Sequence, residues 1–126
     1  MKRLLVVDDD ENVITVMRDI LNHLGCQVFV ARNGLEGVEI LANQSNIDLV
    51  LTDIRMPEMN GNDFARYIHN SPEYQDTPVV AISGYGDEAE RNLFQSVLLK
   101  PFSAQDLARV IGSLHLRSSN PFRKEV

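Results

Sequence analysis

The sequence predicts an α/β domain in which five parallel strands form one sheet with helices packed on both faces. Short continuous apolar runs are typical of strands buried on both sides, and segments with apolar residues every three or four positions are typical of helices. The two kinds of segment alternate along a chain of 126 residues. Alternation favours parallel pairing, because each helix returns the chain to the start of the next strand. This length is typical of one domain.

The first half of the chain supplies three strands and two helices. We predict strands over residues 4–7, 27–31 and 47–52. Between them, the first helix ends at Gly25 and the second begins near Gly34. The apolar positions at helical spacing are Val13, Val16, Met17, Ile20, Leu21 and Leu24 in the first helix, and Leu35, Val38, Leu41 and Ala42 in the second.

The second half supplies two strands and three helices, and the first two of these helices are short. Proline and Asn-Gly signals predict a loop over residues 56–61. In chain order we then expect a helix over 62–69, a strand over 78–82, a short polar helix over 87–94, a strand over 97–99, and a last helix whose inner face carries Leu107, Val110, Ile111 and Leu114.

The composition argues against several classes of protein. A formal net charge of -6 disfavours direct binding to the phosphate backbone of nucleic acid. The single cysteine, Cys26, cannot form an internal disulfide, which favours a reducing compartment. No stretch approaches 18 apolar residues, and the run after Met1 is too short for a signal peptide. We therefore expect a cytoplasmic protein without a membrane partner.

Three carboxylates, one hydroxyl and one ammonium group follow the predicted strands. Asp8 and Asp9 follow the first strand, Asp53 the third, Ser83 the fourth and Lys100 the fifth. In an open parallel sheet these strand ends form the ligand-binding edge. Carboxylates about 4 Å apart repel by roughly 4 kcal/mol at an effective dielectric constant of 20, which a hard cation such as Mg²⁺ would relieve. A carboxylate beside such a cation is suited to attack phosphorus.

Four motifs resemble the receiver domain of two-component response regulators: "LLVVDDDENV", "LVLTDIRMPEMNG", "PVVAISGYGD" and "LLKPF". They occur in the family's order, each at a strand end, and the resemblance runs from about Lys2 to Leu116. It implies a flavodoxin-like fold with strand order 2-1-3-4-5. We expect residues 1–116 to form the receiver domain and residues 117–126, which lack apolar periodicity, to form a polar tail or linker stub.

The resemblance also implies a role for each site residue. Asp53 is the expected phosphoacceptor, and Asp8, Asp9, Asp53 and the backbone carbonyl of Arg55 are the expected Mg²⁺ ligands. Ser83 is expected to bond the phosphoryl group, and Lys100 to pair with its oxygens. The phosphoryl donor is implied to be a sensor histidine kinase or a histidine phosphotransfer protein.

Further expectations concern residues around the site and the three histidines. The resemblance implies a cis bond between Lys100 and Pro101, and it places Arg55 and Tyr85 at rim positions that tune the lifetime of the phosphoryl group. We expect Asp10 to cap the first helix. The three histidines have no ligand spacing and are expected at the surface: His23, His69 and His115.

The chain departs from the family pattern on the output face, which in receivers is formed by the fourth helix, the fifth strand and the fifth helix. Val97 stands where receivers usually carry an aromatic residue, three positions before the lysine. Only 16 residues separate Ser83 from Lys100, and the Gly-Ala pair that usually precedes the fifth strand is absent. We therefore hypothesise a nonstandard readout of the signal.

The leading functional prediction is a stand-alone receiver that binds an unknown downstream protein according to its phosphorylation, with only self-catalysed phosphotransfer and dephosphorylation. One alternative is a pseudo-receiver that acts as a scaffold without phosphorylation. Another is a phosphohydrolase resembling the haloacid dehalogenase family, with Asp8 and Asp10 as nucleophile and acid. Its usual Gly-Thr is replaced here by Glu11-Asn12.

Overall fold

Five strands form one parallel sheet in the computed structural model, which describes residues 2–84 and 88–118, with side chains to residue 113. The strands are β1 (Arg3–Val7), β2 (Gln27–Ala31), β3 (Leu49–Asp53), β4 (Val79–Ser83) and β5 (Ser96–Leu99). Their order across the sheet is β2-β1-β3-β4-β5. The predicted fold class and strand order are therefore confirmed.

The described helices lie between or after these strands. They are α1 (Glu11–His23), α2 (Gly34–Asn43), α3 (Gly61–His69) and α4 (Ala104–Ser118), with a 3-10 turn at Arg91–Leu93. Among residues 2–84 and 88–118, no helix is both long enough and apolar enough to cross a membrane.

The register of the sheet brings the carboxyl ends of the strands to one edge. Val7 at the end of β1 pairs with Ala31 of β2 and with Thr52 of β3. Asp53, the next residue of β3, pairs with Ile82 of β4. The residues that follow β1 and β3 therefore leave the sheet side by side.

The core consists of two apolar layers, one on each face of the sheet. Leu5 and Val7 point into the layer beneath α2 and α3, where Phe64 is fully buried. Leu4 and Val6 point to the other face, against α1 and α4. This alternation explains why β1 is a continuous apolar run, since both of its faces are covered.

Side-chain oxygens cap the N-terminal ends of helices, as in α1, α2 and α3. Asp10 accepts a hydrogen bond from the backbone N–H of Asn12, 2.9 Å away, and so caps α1 as predicted. Asn33 and Asn60 cap α2 and α3 in the same way. Such caps satisfy N–H groups that have no partner within the helix.

The prediction of a helix over residues 87–94 is wrong. Within the described part of this connection, only the three-residue 3-10 turn at Arg91–Leu93 is helical. Leu93 and Phe94 are buried there, and the N–H of Gln95 already donates to the carbonyl of Val79 in β4. Residues 93–95 are thus already packed on the core or bonded to β4, so the helical turn ends at Leu93.

Smaller differences concern which helical residues face the core. Ile14 of α1 is fully buried although the predicted apolar pattern left it out. Val16 and Leu24, which belong to that pattern, are exposed, as is Leu35. Leu114 lies outside the described side chains.

Candidate functional site

Three carboxylates meet at the carboxyl edge of the sheet. One oxygen each from Asp8, Asp9 and Asp53 lies within 4.8 Å of the other two. The side chains of Asp8 and Asp53 are 2% and 12% exposed, whereas Asp9 faces solvent. The structure thus brings together the three acidic residues that the sequence predicted there.

Backbone hydrogen bonds hold the two buried carboxylates in place. Asp8 Oδ1 accepts from the N–H of Asp10 at 2.9 Å, and the N–H of Asp8 donates to the carbonyl of Ala31 at 3.0 Å. Asp53 Oδ1 accepts from the N–H of Ile54 at 2.9 Å. Both side chains are therefore oriented by the first residues that follow their strands.

A glycine makes room for the loop after Asp53. A Cβ atom at Gly61 would lie 2.2 Å from the carbonyl oxygen of Asp53, and the Gly61 N–H donates to the carbonyl of Ile54 at 2.9 Å. The start of α3 therefore packs directly against the backbone of the phosphoacceptor candidate, an approach that only glycine permits.

Lys100 completes the buried part of the site. Its Nζ atom lies 3.4 Å from Asp8 Oδ2 and 3.5 Å from Asp53 Oδ1. Its backbone N–H donates to the carbonyl of Ser83 at 2.8 Å, which ties the end of β5 to the end of β4. The peptide bond from Lys100 to Pro101 is cis, as predicted.

The site carries more negative than positive charge, and the pKa values reflect this. Burial, and then the neighbouring Asp8 charge, raise the pKa of Asp53 to about 6, although the Lys100 ammonium acts in the opposite direction. Burial also raises the pKa of Asp8. For Lys100, burial acts to lower the pKa, but the charges of Asp8 and Asp53 outweigh it and the net pKa is raised. An added cation would therefore be stabilised here.

The donor set suits Mg²⁺. Carboxylate oxygens are its preferred protein ligands, and bonds of about 2.1 Å place two ligands of one ion at most about 4.2 Å apart. Neighbouring ligands of an octahedral ion lie about 3 Å apart, so the three oxygens, which lie within 4.8 Å of one another, would have to move closer together to hold one ion. Arg55, whose carbonyl is the fourth predicted ligand, lines the same shallow groove as Asp9.

Ser83 is fully buried at the end of β4, and its hydroxyl faces a residue that the sequence analysis missed. Ser83 Oγ donates to Glu88 Oε2 over 3.4 Å, which is long for a hydrogen bond. The other carboxylate oxygen of Glu88 forms an ion pair with Nε of Arg55. Glu88 is 17% exposed, so a carboxylate from the β4–β5 connection lies against two of the predicted site residues.

The remaining predicted residues lie away from this cluster. Asp10 is exposed and caps α1, which weighs against its use as the acid of a phosphohydrolase. His23 and His69 are exposed, and His69 Nε2 lies 2.6 Å from the carbonyl oxygen of Leu93. Val97 is half-buried against the layer beneath α2 and α3. Tyr85 and the side chain of His115 lie outside the described residues.

Comparisons with known proteins agree with this geometry. The sequence model of the response regulator receiver domain matches residues 4–112. The chain is 30% identical over 111 residues to a chemotaxis protein CheY homolog of Campylobacter jejuni, covering 83% of this chain and 85% of that protein.

Solved structures show the same fold. A response regulator receiver domain protein from Clostridium thermocellum superposes with a TM-score of 0.84 at 29% identity, covering 94% of this chain and 97% of that one. The response regulator protein TrrA from Thermotoga maritima, in complex with Mg²⁺ and BeF, gives 0.82 at 27% identity, covering 90% and 99%. The chain therefore belongs to the response regulator receiver domain family.

Proposed function

We propose that this chain accepts a phosphoryl group on Asp53 in the presence of Mg²⁺ and relays the signal by binding a downstream protein according to its phosphorylation state. The observation that carries the proposal is the buried carboxylate of Asp53, which lies beside Asp8 and Asp9 and 3.5 Å from the Lys100 ammonium. A buried carboxylate on its own contributes nothing to packing, whereas three carboxylates beside one lysine are the groups that phosphoryl transfer needs.

In the proposed reaction, an oxygen of Asp53 attacks the phosphorus of a phosphohistidine. The new P–O bond forms as the P–N bond breaks, and the electron pair returns to the imidazole. Lys100 neutralises charge on the transferring oxygens, and the Ser83 hydroxyl donates to one of them. Hydrolysis later returns the Asp53 carboxylate and releases inorganic phosphate when water attacks the phosphorus.

Asp8, Asp9, Asp53 and the carbonyl of Arg55 are the residues that would hold Mg²⁺. When bound, this ion neutralises the excess negative charge of the site and the charge of the incoming phosphoryl group. Asp8, fixed by the N–H of Asp10, keeps one ligand oxygen in place before the ion arrives.

The expected donor is a sensor histidine kinase or a histidine phosphotransfer protein, because the family is phosphorylated by such proteins. Residues 1–116 are proposed as the receiver unit, with residues 117–126 outside it. The 3-10 turn at Arg91–Leu93 and the aliphatic Val97 support a readout that differs from the usual receiver output face.

The test is the intact mass of the protein after incubation with acetyl phosphate and Mg²⁺. Wild type is expected to gain one phosphoryl group, and the gain should disappear with EDTA or in Asp53→Asn. Asp76→Asn alters an exposed carboxylate that precedes β4, at the opposite end of that strand from Ser83; it serves as the control and should react like wild type. If neither acetyl phosphate nor a phosphorylated histidine donor modifies wild type, the proposal fails and a scaffold function is favoured.

A further inference from the structure

The Glu88 carboxylate is shared between two residues of the proposed phosphorylation site. It accepts from the Ser83 hydroxyl over 3.4 Å and pairs with the Arg55 guanidinium. It is mostly buried although its partner Arg55 is 74% exposed, so the carboxylate lies inward, towards the edge of the sheet.

A phosphoryl group on Asp53 would compete with this carboxylate for the same hydroxyl. A serine hydroxyl has one proton to donate, so Ser83 cannot serve both acceptors fully at once. The acyl phosphate carries up to two negative charges in place of the single charge of the Asp53 carboxylate, in a partly buried site where like charges repel strongly. The arrangement around Glu88 therefore suits the unphosphorylated protein better than the phosphorylated one.

The backbone of Glu88 is attached to α3 through one side chain. Asn62 donates its amide to the carbonyl of Glu88 at 2.9 Å, and its Oδ1 accepts from the N–H of Glu90 at 3.0 Å. Arg66 then holds the Glu90 carboxylate through two bonds of 2.8 and 2.9 Å. The segment after β4 is thus fixed at two points, one at the site through Glu88 and one at the surface through Glu90.

We propose that Glu88 occupies the place of the phosphoryl group in the unphosphorylated protein and acts as a latch on the β4–β5 connection. Phosphorylation of Asp53 displaces the carboxylate from Ser83 and loosens residues 88–95. This short connection then carries the signal, in place of the longer fourth helix that receivers usually have. The proposal rests on the proposed function. Because such coupling is reciprocal, weakening the latch must also favour phosphorylation.

The experiment compares wild type with Glu88→Gln, which keeps the size of the side chain but removes its charge. Glu90→Gln is the matched control, because it removes the same charge from the same segment but at the surface contact with Arg66. Each protein is treated with acetyl phosphate and Mg²⁺. The initial phosphorylation rate is followed by intact mass, and amide hydrogen exchange is measured over residues 88–95 before and during phosphorylation.

In wild type, we expect exchange over residues 88–95 to increase on phosphorylation. In Glu88→Gln, exchange should be fast already, and the phosphorylation rate should rise by about three- to tenfold, the effect of removing one nearby negative charge. Glu90→Gln should phosphorylate at the wild-type rate. A purely structural role for Glu88 would not raise the rate.

Two results would overturn the latch while leaving the proposed function intact. One is a Glu88→Gln rate equal to that of wild type and Glu90→Gln, and the other is unchanged exchange over residues 88–95 when wild type is phosphorylated. Failure of wild type to gain an Asp53-dependent phosphoryl group would instead refute the proposed function, and the latch with it.

Discussion

Replacing Asp53 with asparagine should stabilise the magnesium-free protein at neutral pH. The pKa of Asp53 is raised to about 6 by burial and by the Asp8 charge, whereas an aspartate in an unfolded chain titrates near 3.9. One pKa unit corresponds to about 1.4 kcal/mol, so the ionised carboxylate costs the folded state about 3 kcal/mol. Asparagine has nearly the same shape and carries no charge.

The sign of the pH dependence follows from which state holds the proton. Between about pH 4 and pH 6 the folded protein keeps a proton on Asp53 that the unfolded chain has already lost. Stability from this group is therefore fully present below the unfolded pKa, and it is lost as the pH rises through about 6. The advantage of Asp53→Asn should be small at pH 4 and reach its full value above about pH 7.

The assay is thermal unfolding in EDTA at several pH values, repeated with Mg²⁺. At pH 7.5, about 3 kcal/mol corresponds to a rise in Tm of about 10 °C for a domain of this size. Mg²⁺ should raise the Tm of wild type more than that of Asp53→Asn, because it binds the carboxylate that the variant lacks. The control Asp76→Asn should change little. The reasoning is refuted if Asp53→Asn gains no more than Asp76→Asn at pH 7.5, or if Mg²⁺ stabilises wild type and variant equally.

Three further predictions concern single residues. Lys100→Met should raise the pKa of Asp53 still further, because the ammonium now lowers it, and carboxyl carbon shifts in a magnesium-free NMR titration would show this; an unchanged or lower value would contradict it. Gly61→Ala should lower the free energy of unfolding in urea by about 2 to 4 kcal/mol, because its Cβ would meet the Asp53 carbonyl at 2.2 Å. Gly112→Ala, with nothing within 4 Å of its Cβ, should instead be neutral or slightly stabilising, and equal losses would refute the argument. Cys26, buried and with its pKa raised by burial, should react with a disulfide reagent at pH 7.5 about 100-fold more slowly than a small free thiol until urea unfolds the protein. Rapid labelling of the native protein would show that the thiol is accessible.

The location of the candidate site could be predicted because it depends on strand ends. A buried parallel strand is a continuous apolar run, so its last residue can be read from the sequence, and parallel strands all deliver their last residues to one edge. Asp8, Asp53 and Lys100 were therefore placed together without knowledge of the helices.

The β4–β5 connection could not be predicted in the same way. Its path is set by contacts with α3, such as those of Asn62 and Arg66, which lie more than twenty residues away in sequence. The 3-10 turn has no periodicity that a sequence pattern could reveal, and the polar residues before it suggested a helix. Glu88 was missed for this reason: its position against Ser83 depends on the connection, and no local signal in the sequence marks it.

The central claim is that Asp53 carries the phosphoryl group, and the most direct test is chemical mapping of the modified residue. Wild type treated with acetyl phosphate and Mg²⁺ is reduced with borohydride, which converts an acyl phosphate to an alcohol, and its peptides are then sequenced by mass spectrometry. The account predicts reduction at position 53 alone, with none in the presence of EDTA. Modification at another residue, or none at position 53 with either acetyl phosphate or a phosphorylated histidine donor, would contradict it.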